Sequence, residues 1–246
     1  MKRFLKLYSI EQKLGFRGCD TIVFGVAMPV GVLVLIAIVA GGQAAGSSGY
    51  TFLESAFASL ISVGICASAF MGIPLTIADY RDKKILKHFF ATPCSPMWLL
   101  GADVLCCTVN AILSAVAVTL VAVFAFGYRM TGNVLVFVGA WFLTLVSMFS
   151  IGLVMASLCK TIKVTNAVTS AVYFPMLFLS GATIPFELFP EGLQKVASVL
   201  PLTQGIKLMK EAAMGVATEG VMWRIVLLLG ITLVCTVISV KTFRWE

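Results

Sequence analysis

Residues 21–53 contain no charged side chain, and comparable uncharged runs recur along the chain. In water each run would have to be buried on all sides. The composition cannot supply that cover: 60% of the 246 residues are apolar and 12% are charged, where a soluble domain carries roughly 25% charged residues. The solvent for most of this chain is therefore lipid. A helix crosses a bilayer with about 20 apolar residues at 1.5 Å each. Residues 22–40 within the first run meet that length, as do 55–78, 104–128, 131–159 and 164–186. A sixth run, 225–240, is shorter, but Arg224 and Lys241 flank it and long basic side chains snorkel to the interface. The sequence predicts an all-α integral membrane protein with six transmembrane helices, a single domain over residues 1–246.

Charge then orients the spans. Lys2, Arg3, Lys6, Lys13 and Arg17 precede the first, and Arg81, Lys83, Lys84 and Lys87 lie between the second and third. Lys160 and Lys163 separate the fourth and fifth, and Lys241 and Arg244 follow the sixth. The alternate side holds Arg129, Lys195, Lys207, Lys210 and Arg224. By the positive-inside rule the richer side is cytoplasmic, which puts both termini there. The same placement argues against nucleic acid as the reason for the net charge of +7, because no basic, aromatic-interleaved soluble surface exists. The seven cysteines form no C-x-x-C pair and His88 is the only histidine, so the cysteines read as small packing residues rather than metal ligands. A cleaved signal peptide is the rival reading of the N-terminus. The first apolar run starts only after a segment containing Glu11 and Asp20, which favours a retained span.

Function has to be read from three segments outside the spans. In residues 1–19, Phe4, Leu5, Leu7, Tyr8 and Leu14 share one helical face and Lys2, Lys6 and Lys13 oppose it. That is the pattern of an in-plane interfacial helix with lysines towards anionic headgroups, the alternative being a plain positive flank. In residues 79–96, a helix would set Ile85, Leu86, Phe89 and Phe90 against a polar arc of Arg81, Lys83, Lys84, Lys87 and His88, and end at Thr92-Pro93. This reads as a cytoplasmic coupling segment that a partner can push, or as a solvated loop that only sets topology. Residues 185–222 form an outer segment broken by Pro185, Pro190 and Pro201. Leu193, Val196, Ala197 and Leu200 follow i, i+3, i+4, i+7, giving a short half-apolar helix that is re-entrant or interfacial. Gly181 offers a bend just before it. Gly181, Pro185, Pro190, Leu193, Val196, Leu200 and Pro201 are the candidate outer gate, and a simple connector is the competing reading.

The run Phe178-Leu179-Ser180-Gly181-Ala182-Thr183-Ile184-Pro185, then Phe189-Pro190, Pro201-Leu202-Thr203 and Lys207 to Gly215, resembles the membrane subunit of bacterial ABC-2 exporters, especially the drug-efflux branch. Arg81 to Lys87 followed by Ala91-Thr92-Pro93 resembles the same family's segment before its third span. The chain departs from many members in having Lys210-Glu211 where an arginine is common. The resemblance implies a permease in a bacterial plasma membrane, paired with a second permease copy or a related permease, as a homo- or heterodimer, and seated on separate ABC ATP-binding subunits. ATP and magnesium would then sit on the partner, with no cofactor on this chain. Arg81, Asp82, Lys83, Lys84 and Lys87 would be the contact with the ATPase subunit. The cargo would be hydrophobic or amphipathic, such as a drug, antibiotic or peptide.

One part of this follows from the residues alone. An ATP site of the ABC kind needs a phosphate-binding G-x-x-x-x-G-K-[ST] loop, and neither Lys160 nor Lys241, which precede Thr, carries the glycines. The alternative class, an ion-coupled secondary transporter or channel, needs ionisable groups at mid-membrane. Asp103 and Glu54 are the candidates, and both lie near the ends of their runs. An embedded enzyme has no His, Cys or carboxylate cluster at one depth to work with.

Overall fold

The computed structural model describes residues 2–17, 23–40, 51–85, 96–181, 189–215 and 220–243. Among them every regular element is a helix. α1 is Lys2–Arg17. α2 opens with a π turn, Val23–Ala27, and continues as Met28–Ala40. α3 covers Phe52–Asp82. α4 is Pro96–Phe126, α5 Val134–Leu158 and α6 Ile162–Leu179. α7, Glu191–Val199, and α8, Pro201–Met214, form a hairpin, and α9 is Val221–Thr242.

Five helices, α3, α4, α5, α6 and α9, are long and apolar enough to cross a membrane. The chain is a multi-pass membrane protein. The last run, expected to be the shortest, grows to 22 residues because Arg224 and Lys241 lie inside α9. The shorter apolar helix is instead the first, Val23–Val39.

α3 is the axis of the bundle. Nearly all of its length is buried, because α2, α4, α5, α6 and α8 pack around it. Its start is fixed by a capping box: the Thr51 hydroxyl accepts from the Glu54 amide at 3.3 Å, and Glu54 accepts from the Thr51 amide at 2.8 Å. Glu54 therefore serves the backbone of its own helix. A π turn, Ser68–Gly72, lies just before Pro74. Proline has no amide to donate and its ring clashes with the carbonyl four residues back, and the wider turn relieves both.

Several small hydroxyls inside the bundle satisfy themselves locally. Ser62, Thr108, Thr144, Thr169 and Thr232 each donate to the carbonyl four residues back at 2.8 Å. A group with no water to bond must find a partner within the protein. α9 packs on α5 and α8 and leaves most of its apolar surface outward, as a lipid-facing helix does.

Candidate functional site

The ends of four helices are tied together at one end of the bundle. Arg81, in the last turn of α3, donates to the carbonyls of Ala156 at 2.5 Å and Cys159 at 2.9 Å, and its guanidinium lies 5.1 Å from the centre of the Phe243 ring. Asp82, the next residue, accepts from the Ile162 amide at 3.0 Å. A cation thus meets the C-terminal carbonyls of α5 and an anion meets the N-terminal amides of α6, each matching the local helix dipole. Thr161 caps the same amides, accepting from Val164 at 3.4 Å. Ser157 and Thr242 share a hydrogen bond of 2.9 Å that brings in α9.

This arrangement corrects the expected polar arc. α3 ends at Asp82, Lys83 caps it, and Lys84 turns the chain with φ +57°. Residues 79–85 are therefore not one continuous helix, and Arg81 points inward to the α5–α6 turn rather than out with the lysines. Lys83 and Lys84 are exposed, as are Lys160, Lys163 and Lys241 at the same end. Lys83 also pairs with Asp79 at 2.6 Å. Lys87 lies outside the described residues.

α1 packs along the start of α4 at this end. Phe4 meets Trp98 edge to face with ring centres 5.8 Å apart, and Gln12 donates to Asn110 at 3.2 Å. The inward face keeps Phe4 and Leu7, the latter packed against Tyr80 and Leu99, as expected, but it does not include Leu14. Glu11 sits at its centre, 7% exposed and hydrogen-bonded by the Tyr80 hydroxyl, while Leu14 and Ile10 are exposed. Lys6 and Lys13 do face outward. Between α1, α3, α4 and α6 lies a cavity of about 770 Å³, into which Glu11, Tyr80 and Asp103 project. Asp103 is buried among these helices, eight residues into α4.

At the opposite end Gly181 turns the chain out of α6 in the left-handed region, with φ +84°. Pro190 stands at the N-cap of α7 and Pro201 is the first residue of α8. Pro185 lies outside the described residues. The α7 face departs from expectation: Ala197 is buried and Leu200 packs on the core, but Leu193 is 37% and Val196 58% exposed. Two of the four apolar side chains thus stay outside the bundle.

The element that sequence reading missed is α8. Leu202, Ile206, Met209 and Ala213 are buried on one face, packed on α5 and α3. Their spacing of i, i+4, i+7, i+11 was in the sequence, as were Pro201 at the first helical position and Gly215 just past the end with φ +70°. Gly205 lies so close to Thr144 that a Cβ there would overlap its side chain. Thr144 is about 15 Å along α5 from its start, at 1.5 Å per residue. α8 therefore begins deep in the bundle and climbs to its rim, where Gly132 donates to the Ala213 carbonyl at 2.8 Å. Near that rim Glu211 and Arg224 form an ion pair, which gives Glu211 a structural partner on α9.

Comparison with known proteins follows this architecture. The family model for ABC-2 family transporter proteins matches residues 42–241, which takes in both the Arg81 end and the hairpin. Nodulation protein J of Neorhizobium galegae is 25% identical over 193 residues, covering 78% of this chain and 70% of that protein. Nodulation protein J of Bradyrhizobium diazoefficiens is 25% identical over 191 residues, covering 77% and 69%. That of Rhizobium leguminosarum bv. viciae is 35% identical over 66 residues, or 27% of this chain and 26% of that protein. With the family model matched over most of its length, this chain belongs to the ABC-2 family of transporter proteins.

Proposed function

We propose that this chain is the membrane-spanning permease half of an ATP-driven ABC exporter, working with a separate ABC ATP-binding subunit and a second permease copy or a related permease. In this reading it crosses a bacterial plasma membrane six times, with both termini and the Arg81 end in the cytoplasm. Family membership implies the ATP-binding partner in general terms. The observation that carries the rest is the braced basic end. Lys83, Lys84, Lys160, Lys163 and Lys241 form an exposed basic rim around helix ends tied by Arg81 and Asp82. A push on such an end is passed to α3, α5 and α6 together, and α3 and α5 are the helices against which α8 packs. Closure of the ATPase subunits would thereby reach the hairpin at the other end. Gly181, Pro190, Pro201 and Leu200 support a re-entrant outer gate, with Leu193 and Val196 at the membrane interface. An apolar bundle with few charges suits a hydrophobic or amphipathic cargo.

The test is transport in inside-out vesicles containing this chain and its ATPase partner, with a fluorescent amphipathic cargo. Accumulation should require hydrolysable ATP and persist when ion gradients are collapsed. Accumulation that follows an ion gradient and ignores ATP would replace this reading with a secondary transporter.

A further inference from the structure

We propose that the groove between α5, α8 and α9 seats one acyl chain of a phospholipid from the leaflet at the hairpin end. The groove has a volume of about 510 Å³ and, apart from Asn133 and Glu211, is lined by apolar side chains and glycine. Leu208 and Ala212 are buried at its floor, while Val136 and Gly139 are exposed at its mouth. Along α5 it runs from Asn133 to Leu143, about 15 Å at 1.5 Å per residue. That is the depth of one leaflet, half of a hydrocarbon core of roughly 30 Å. Its polar end lies at headgroup level. There Asn133 caps α5, Glu211 pairs with Arg224, and Trp223 is 69% exposed, as tryptophans at a membrane interface are.

The occupant follows from shape and surroundings. The walls continue the lipid-facing surface of the bundle, since Val138 and Phe142 of α5 and Val226 and Leu229 of α9 are exposed beside the groove. An apolar cavity stays dry and takes up apolar molecules, and the bilayer supplies them at this depth. A helix of a second copy is too wide: at about 10 Å across, a 15 Å length of it fills roughly 1,200 Å³, more than twice the groove. An extended hydrocarbon chain is the thinner body that spans one leaflet. The Glu211–Arg224 pair balances its own charge, so recognition is of the chain and not of an anionic or cationic head. Seated there, the chain packs the inner helix of the hairpin to the last span where protein leaves a gap.

The inference needs the chain to sit in a bilayer and not to export, so it is read without ATP. Full-length chain is reconstituted in dioleoylphosphatidylcholine vesicles and extracted into mild detergent, and its retained lipid is counted by native mass spectrometry. One phospholipid per chain should survive extraction. A Cβ at Gly139 has nothing within 4 Å, so Gly139→Phe puts a ring into the groove without overlapping the protein, and it should cut retention at least tenfold. Val138→Phe, exposed outside the groove, should retain the lipid. Lysophosphatidylcholine should displace it, and glycerophosphocholine, which has no chain, should not. A native chain that retains no lipid, or loses it equally to glycerophosphocholine, overturns the proposal even if Gly139→Phe fails to fold. Equal retention or equal loss in the two variants overturns it, as does a dimer broken by Gly139→Phe with the lipid still held. Retained lipid without ATP-driven transport would leave the seat standing and remove the exporter reading, and ATP-driven transport by a chain that retains none would do the reverse.

Discussion

The carboxylate of Asp82 accepts a hydrogen bond from the backbone amide of Ile162, 3.0 Å away and on a different helix. One residue earlier, Arg81 holds the carbonyls that end α5. Asp82→Ala should cost about 0.5–2 kcal/mol, as loss of a helix cap does. Arg81→Ala should cost more, about 1.5–3 kcal/mol, because its hydrogen bonds carry a full charge. Denaturant unfolding in detergent checks both. The double variant should fall short of the sum, since the two residues grip one turn.

The Gly205–Thr144 contact predicts a size-swap result. Gly205→Ala should destabilise the chain by about 1–3 kcal/mol through overpacking between α8 and α5. Adding Thr144→Ala, which makes room, should recover at least half of that loss. Failure of the second substitution to rescue the first would mean that α8 is not seated on α5 at this depth.

Leu193 and Leu200 lie on the same face of α7 in sequence but differ in surroundings. Leu200 packs on the core, so Leu200→Asp should destabilise the fold by about 2–3 kcal/mol. Leu193 is exposed, so Leu193→Asp should leave unfolding nearly unchanged and reduce export instead. Equal destabilisation by the two would contradict this difference in burial.

Glu11 makes the docking of α1 depend on pH. Burial raises its carboxyl above the ordinary value of 4.5, and the hydrogen bond from Tyr80 offsets part of the rise. A raised native value means that the docked state holds the proton more tightly than a detached α1. Docking is then strongest below the ordinary value and weakens as pH rises through the native one. Hydrogen exchange of α1, corrected for intrinsic rates, should show protection falling over that interval. Glu11→Gln should flatten the profile.

Cysteines introduced at Lys84 and Lys195, in a chain whose native cysteines are replaced, should label from opposite faces of intact cells. Lys84 should react only after permeabilisation. Labelling of both from one side would refute six spans with a cytoplasmic basic end.

The spans were readable because lipid imposes a length and forbids charge, and both constraints show in a single sequence. Glu54 and the Gly181 bend were readable in part, since caps and turns have local signatures. Arg81 was not, because its partners lie on α5, distant in sequence, and a basic residue at a span end already had an explanation in topology. α8 was missed for a related reason. Its apolar spacing was visible, but Lys207, Lys210 and three nearby prolines made it read as surface. Burial of Asp103 depends on α1 folding back along α4, which no local pattern encodes.

In counting terms, α3 holds one residue more than an ordinary helix of its length. The Ile73 amide reaches the Ser68 carbonyl, five residues back, and the surplus residue sits between the capped end at Thr51 and the clamped end at Asp82. Each residue turns a helix by about 100°. Losing one inside Ser68–Gly72 would turn the wide turn into a regular one and leave both ends facing their present neighbours. Losing one anywhere else along the axis would swing Arg81 and Asp82 away from the α5–α6 turn. The wide turn is thus the phase setting of the axial helix, the place where its two halves are brought into register with different partners.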